Sequence, residues 1–173
     1  MGIYPTFNHL ACRVKLTKNV TRSMTQINLA TTVRIVDRTK MFPCPFCQLP
    51  DHRVVMRNSL AAAFFDAYPV AKGHALVVPV RHVEDVWGLT AEERQACHEL
   101  LEGLRRFIRL DDASVSGFNL GTNAGASAGQ TVFHCHFHLI PRREGDCANP
   151  RGGVRHVFPE KANYDPSAPE LPI

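Results

Sequence analysis

The stretch from Gly117 to Arg142, GFNLGTNAGASAGQTVFHCHFHLIPR, limits what this chain can fold into more than any other. From Thr131 to Ile140 most positions are β-branched, aromatic or aliphatic, and Pro141 follows, so the sequence predicts a strand over 131–140 that the proline ends. Side chains alternate along a strand, which puts His134, His136 and His138 on one face and Cys135, Phe137 and Leu139 on the other. The second face packs a core; the first presents imidazoles.

Side chains two apart on a strand are about 6.6 Å from each other, so one metal ion reaches two of these histidines and hardly all three. Two bland accounts are one strand of a metal site with its other ligands elsewhere, and burial by chance. Chance is the poorer one, because every buried imidazole needs a hydrogen-bond partner. Just upstream, residues 121–131 carry Gly121, Gly125 and Gly129 and little bulk, so a ligand can approach the backbone amides. Asn123, Ser127, Gln130 and Thr131 add neutral donors. A glycine-rich loop alone is no more than a hairpin turn; joined to a row of imidazoles it reads as an anion cradle beside nucleophiles.

At 173 residues and 45% hydrophobic content the chain can bury one core. No apolar run approaches the ~20 residues that span a bilayer, so a soluble globular protein without a membrane partner is expected. The net charge of +4 invites a nucleic-acid reading, but residues 1 to 40 hold seven Lys or Arg against Asp37 alone. That leaves −2 for residues 41 to 173, and nucleic acid is not the expected partner. Six cysteines in a chain of this size do not form a secreted scaffold, which points to a reducing compartment, the cytoplasm. Cys97 and Cys135 fall on apolar faces as small core residues.

Cys44-Pro45-Phe46-Cys47 is different, since this spacing brings two thiolates within reach of one tetrahedral ion. A redox pair and half of a zinc ribbon are the alternatives. A ribbon needs a second such pair, which the sequence lacks. A thioredoxin-like pair sits at a strand-to-helix junction, whereas this one precedes Leu49, Pro50 and a polar turn. The remaining ligands are then expected to be histidines.

The rest of the chain predicts an α+β domain with an antiparallel sheet of about five strands, one long helix and one short one. Strands are expected over 54–56 and 60–67 about a turn at Arg57-Asn58-Ser59, over 75–79 after a loop closed by Gly73, and over 115–120. Residues 83–89 suit a short helix with Trp87 as its core anchor. Thr90-Ala91-Glu92-Glu93 is a capping box, and Cys97, Leu100, Leu101, Leu104, Phe107 and Ile108 recur at helical spacing. The charges between them, among them Glu92, Glu93, Arg94, Glu102, Arg105 and Arg106, read as a solvated face.

His134-Cys135-His136-Phe137-His138-Leu139-Ile140, with Ala-Gly-Gln before it and Ile-Pro-Arg closing it, resembles the signature of the histidine-triad (HIT) superfamily, and its hydrolase branches in particular. The resemblance runs from about Cys44 to about Arg143 and implies a HIT-like fold over residues 41–145. It further implies that His136 attacks the α-phosphorus of a nucleoside 5′-phosphate derivative and forms a nucleotidyl-histidine that water hydrolyses. A neutral imidazole is a competent nucleophile, and covalent catalysis divides one hard displacement into two. By the same resemblance Asn123, Gln130, Thr131 and His138 hydrogen-bond the phosphoryl oxygens, where transition-state charge must be stabilised. Asp66, eight residues before His74, holds the ribose hydroxyls; His74 supports the array; and Cys44, Cys47, His82 and His134 bind a structural zinc ion. A homodimer is implied as well. Pro141-Arg142 leans toward dinucleoside polyphosphates such as diadenosine tetraphosphate. The alternatives are an adenosine phosphoramidase, a nucleotide-binding regulator with little turnover, and a metal hydrolase in which His134 and His136 both hold the catalytic ion.

Two terminal stretches fall outside that domain. Residues 1–40 are a basic extension, disordered or not translated; they are acid-poor like an organellar transit peptide, and translation from Met24 or Met41 is the competing account. Residues 146–173 form a Pro-rich tail. It is either loose and polar, or it folds back so that Arg142, Arg151 or Arg155 holds far phosphates.

Overall fold

Four largely apolar segments and a histidine-bearing one become a single antiparallel sheet of five strands in the computed structural model, which describes residues 44–163. The expectations for residues 1–40 and for the last part of the tail lie outside the described residues. The strands are β1 (Val54–Arg57), β2 (Ala61–Phe65), β3 (Ala75–Pro79), β4 (Val115–Gly121) and β5 (Phe137–Arg143), in the order β1-β2-β3-β5-β4. Helix α1 (Ala91–Asp111) lies between β3 and β4 in sequence. Among the described residues no helix is long and apolar enough to cross a membrane.

Helix α1 starts where the capping box places it: Thr90 Oγ1 accepts from the Glu93 amide and the Glu93 carboxylate accepts from the Thr90 amide. Ala96, Cys97, Leu100, Leu101, Leu104 and Ile108 form its buried stripe. That stripe packs on Ala61, Ala63, Ala75, Val77 and Leu139, small and branched side chains on one face of the sheet. The alanines let the helix approach closely, and each buried leucine contributes about 1.5–3 kcal/mol.

Several sequence expectations change here. Glu93 is buried, not on a solvated face, because Arg81 clasps it in a fork of Nε to Oε1 at 2.8 Å and Nη2 to Oε2 at 2.7 Å. Phe107, placed on the apolar stripe, is 42% exposed. Trp87 is 81% exposed and anchors nothing; the segment is a three-residue 3₁₀ turn, Val86–Gly88, capped by Asp85, and it turns Val83 and Leu89 inward against Cys135 instead. The histidine strand begins at Phe137, later than expected, and runs through Pro141 to Arg143. Proline is tolerated because β3 leaves β5 at Leu139, so that Pro141 has a partner strand only on the β4 side, where it faces Phe118. The tail is ordered over its described part into a 3₁₀ turn, Gly153–Val157, and a short helix α2 (Pro159–Ala162) whose last carbonyls accept from Arg155.

The opposite face of the sheet carries a smaller cluster of Ala62, Phe64, Leu76 and Val78, covered by Phe46, Leu49 and Val54. Register pairs Leu76 with His138, so the imidazoles share this face with the cysteine segment. The helix face holds the core; the other face holds the chemistry.

Candidate active site

At one end of the histidine row, residues 44–47 turn beneath the sheet so that Cys44, Cys47, His82 and His134 bring their ligand atoms within 4.8 Å of one another. The individual separations are 3.4 Å from Cys44 Sγ to His134 Nδ1, 3.5 Å from Cys47 Sγ to the same nitrogen, and 3.2 Å from Cys47 Sγ to His82 Nδ1. Zinc–sulfur and zinc–nitrogen bonds of about 2.3 and 2.0 Å at tetrahedral angles require roughly 3.5 Å between such atoms, so the donor set fits the ion. Its orientation fits too: the Pro79 carbonyl can only accept, so the fully buried His134 donates to it from Nε2 at 2.9 Å and turns the Nδ1 lone pair toward the sulfurs. Burial first, and then the neighbouring Cys44, push the Cys47 thiol up to about 11.

In the middle of the row, His136 is buried and donates from Nδ1 to the carbonyl of His134 at 2.8 Å. That bond fixes the tautomer and leaves Nε2 with its lone pair. The residue's own carbonyl accepts from Thr122 Oγ1 at 2.8 Å, which pins the backbone beneath the ring to the end of β4. Phe46 sets its ring edge-on to both imidazoles, with centroids 5.3 Å from His136 and 5.8 Å from His134.

The other end is a chain of neutral rings. The Val70 amide donates to His74 Nδ1 at 3.3 Å, so His74 carries its proton on Nε2 and donates it to His138 Nδ1 at 3.0 Å. His138 is then left with Nε2–H as a donor. Asp66 Oδ2 stands 3.5 Å from His74 Nδ1, too long to compete with the backbone donor, while its Oδ1 accepts from the Tyr68 amide. Burial holds His74 below the ordinary imidazole range against the opposing pull of Asp66. Burial first, then His136 and His74, lowers His138 to about 4, so it too is neutral near pH 7.

The glycine-rich loop leads into this row from the end of β4. Gly125 (φ 87°) and Gly129 (φ 83°) lie in the left-handed region on either side of a 3₁₀ turn, Ala126–Ala128, and a Cβ on either would meet open space. Gln130 is buried and holds the loop: its Oε1 accepts from Gly125 at 2.7 Å, and its Nε2 donates to the Glu84 and Val132 carbonyls at 2.6 and 3.1 Å. Both amide protons are thereby used within the protein. Asn123 is half-buried and Thr131 exposed.

Of the residues singled out from the sequence, Cys44, Cys47, His82 and His134 come together at one end of the row and Asp66, His74 and His138 at the other, while Gln130 is engaged inward. Sequence reasoning missed Phe46 and Thr122. Phe46 could have been noticed as the apolar residue held between two ligands; nothing in the sequence marks Thr122. Arg142 does not fold over the histidines: its guanidinium is held by Asp146 at 2.7 and 2.9 Å and by Asn119 at 2.7 Å.

Known proteins are similar to this chain. The HIT domain matches residues 49–145 of the chain. An uncharacterised HIT-like protein of Mycoplasma genitalium is 37% identical over 105 residues, covering 58% of this chain and 74% of that one. The bis(5′-nucleosyl)-tetraphosphatase (asymmetrical) of Schizosaccharomyces pombe is 38% identical over 96 residues, 54% of this chain and 51% of that one. Among solved structures, a Zn-bound histidine triad family protein from Mycobacterium smegmatis superposes with a TM-score of 0.56 at 30% identity, over 62% of this chain and 80% of that one. That family match spans more than half of the chain, and it makes this protein a member of the HIT domain family.

Proposed function

We propose that the protein is a nucleotide hydrolase or transferase that acts at the α-phosphorus of nucleoside 5′-phosphate derivatives, with dinucleoside polyphosphates favoured. The observation that carries this reading is the His136 hydrogen bond, which commits Nδ1 of a buried ring to a backbone carbonyl and leaves the Nε2 lone pair for attack. His136 Nε2 attacks phosphorus, the P–O bond to the leaving group breaks, and a nucleotidyl-histidine forms; water then attacks the same phosphorus and returns the lone pair to Nε2. His138 Nε2–H, Asn123 and Thr131 stabilise charge on the phosphoryl oxygens. Gln130 acts through the loop it holds, and Asp66 takes the ribose hydroxyls. The relative from Schizosaccharomyces pombe supports the choice of substrate class.

Cys44, Cys47, His82 and His134 would hold a zinc ion. Four protein ligands close a tetrahedral site, so the metal's contribution is structural. His134 turns Nδ1 to the sulfurs while His136 turns Nδ1 to a carbonyl, which disfavours one catalytic ion shared by both. A homodimer completes the reading; light scattering should give about twice the chain mass of 19.3 kDa, and that single mass would reject it.

The deciding experiment is a turnover screen of diadenosine tetraphosphate, adenosine phosphoramidate and adenylylated sulfate, with acid-free quenching and mass spectrometry of the His136 peptide. Release of AMP with a nucleotidyl adduct on His136 is expected, fastest with the first substrate. Tight nucleotide binding without AMP release would make the protein a regulator.

A further inference from the structure

We propose that Phe46 is a positioning residue that couples the metal-binding knuckle to the His136 imidazole. The inference rests on the reading of His136 as the nucleophile and of Cys44, Cys47, His82 and His134 as metal ligands.

Phe46 is held in sequence between Cys44 and Cys47, so both ends of its short backbone segment are fixed when the two sulfurs share an ion. Its half-buried ring lies where three other rings meet: Phe64 of the sheet at 5.5 Å, His134 at 5.8 Å and His136 at 5.3 Å between centroids. The contacts to the imidazoles are edge-on, at 78° and 67°, the arrangement that aromatic quadrupoles favour. His136 therefore has three restraints of separate origin. Its Nδ1 is tied to the His134 carbonyl, its other side touches the His138 ring at 5.0 Å, and Phe46 walls the rest.

Only the Phe46 restraint belongs to the knuckle. Residues 44–49 reach the sheet through Phe46, Leu49 and the ligand atoms themselves. Loss of the ion frees the segment, moves the Phe46 ring and opens His136 to water and to other rotamers, while the Thr122 and His134 hydrogen bonds stay in place. The metal thus shapes the reacting group from outside its coordination sphere, through packing and not through charge.

The test reads His136 directly, without turnover. The metal-loaded protein and its Phe46→Leu variant, both with metal content measured, are treated with diethyl pyrocarbonate, and carbethoxylation of the His136 peptide is followed by mass spectrometry. Losing one aromatic edge contact should raise the rate about two- to tenfold in Phe46→Leu at unchanged metal content. Phe46→Tyr, which keeps the ring, should restore the native rate. Stripping the metal should raise the native rate by a similar factor and add little in Phe46→Leu, because both changes remove one restraint. An unchanged rate in Phe46→Leu overturns the proposal, as does an equal further rise on stripping the variant. Failure to trap a nucleotidyl adduct would sink the catalytic reading while leaving these rates, and so this proposal's contact, still measurable; a native protein that contains and takes up no metal overturns the coupling.

Discussion

His134 and His138 are the same residue type, four positions apart, and both lose basicity through burial, yet the fold employs them in opposite ways. His134 meets two sulfurs that lie 90 and 87 residues away and turns a lone pair outward to them. His138 meets another imidazole, His74, across a neighbouring strand and receives a proton from it. What decides is the partner on the far ring nitrogen. A carbonyl that can only accept makes His134 a ligand; a neutral ring that donates makes His138 a donor. His136, between them, borrows the carbonyl of His134 and keeps a nucleophilic nitrogen free.

The largest expected effect falls on that middle position. His136→Asn keeps size and polarity but has no nucleophilic nitrogen, so turnover should fall about a thousandfold or more while nucleotide affinity and unfolding midpoint stay close to native. Full activity in this variant would remove the distinction between the middle of the row and its ends.

The metal end should matter chiefly for stability. The purified protein is expected to contain one zinc ion per chain, and Cys44→Ser should lower the melting temperature by on the order of 10 °C, since binding free energy at a closed site is folding free energy. Cys147→Ser, at an exposed cysteine, serves as the control. Metal analysis that finds no zinc, with the two variants equally stable, would reject this assignment.

The donor end should show itself through pH. His138 has its pKa lowered from 6.5 to about 4 in the fold, so between those values the unfolded chain takes up a proton that the folded chain refuses. Stability should therefore be fully present above about 6.5 and fall as the pH drops toward about 4. Urea midpoints across that window should decline less steeply in His138→Gln than in the native protein. Equal slopes would mean that His138 is not held neutral.

A smaller effect should come from Thr122→Val, which removes the hydroxyl that holds the His136 carbonyl at little change in volume. One hydrogen bond of this kind is worth about 1 kcal/mol, or roughly fivefold in turnover, with KM nearly unchanged. A change confined to KM would place Thr122 in binding instead of positioning.

The α+β class, the capping box at Thr90, the two strands on either side of Arg57-Asn58-Ser59 and the strand at Ala75–Pro79 were legible in the sequence. These are local properties: alternation, helical spacing and capping depend on residues near one another in the chain, and so does the spacing of His134, His136 and His138. Each residue's employment, by contrast, came from contacts between distant parts of the chain. The strand of the triad starts at Phe137 instead of Thr131, because residues 130–135 are drawn onto the segment at Val83 and Glu84, as the 2.6 Å bond from the Cys135 amide to the Val83 carbonyl shows. Trp87 lies outside while Val83 and Leu89 lie inside, since a three-residue turn offers no continuous face to bury. Glu93 is interior because Arg81 reaches it from another element, and Gln130 turns inward because carbonyls from Glu84 and Val132 converge on its amide. The tautomers of His74, His134, His136 and His138 are set in the same way: a ring nitrogen takes or gives a proton according to the partner that distant parts of the chain bring to it.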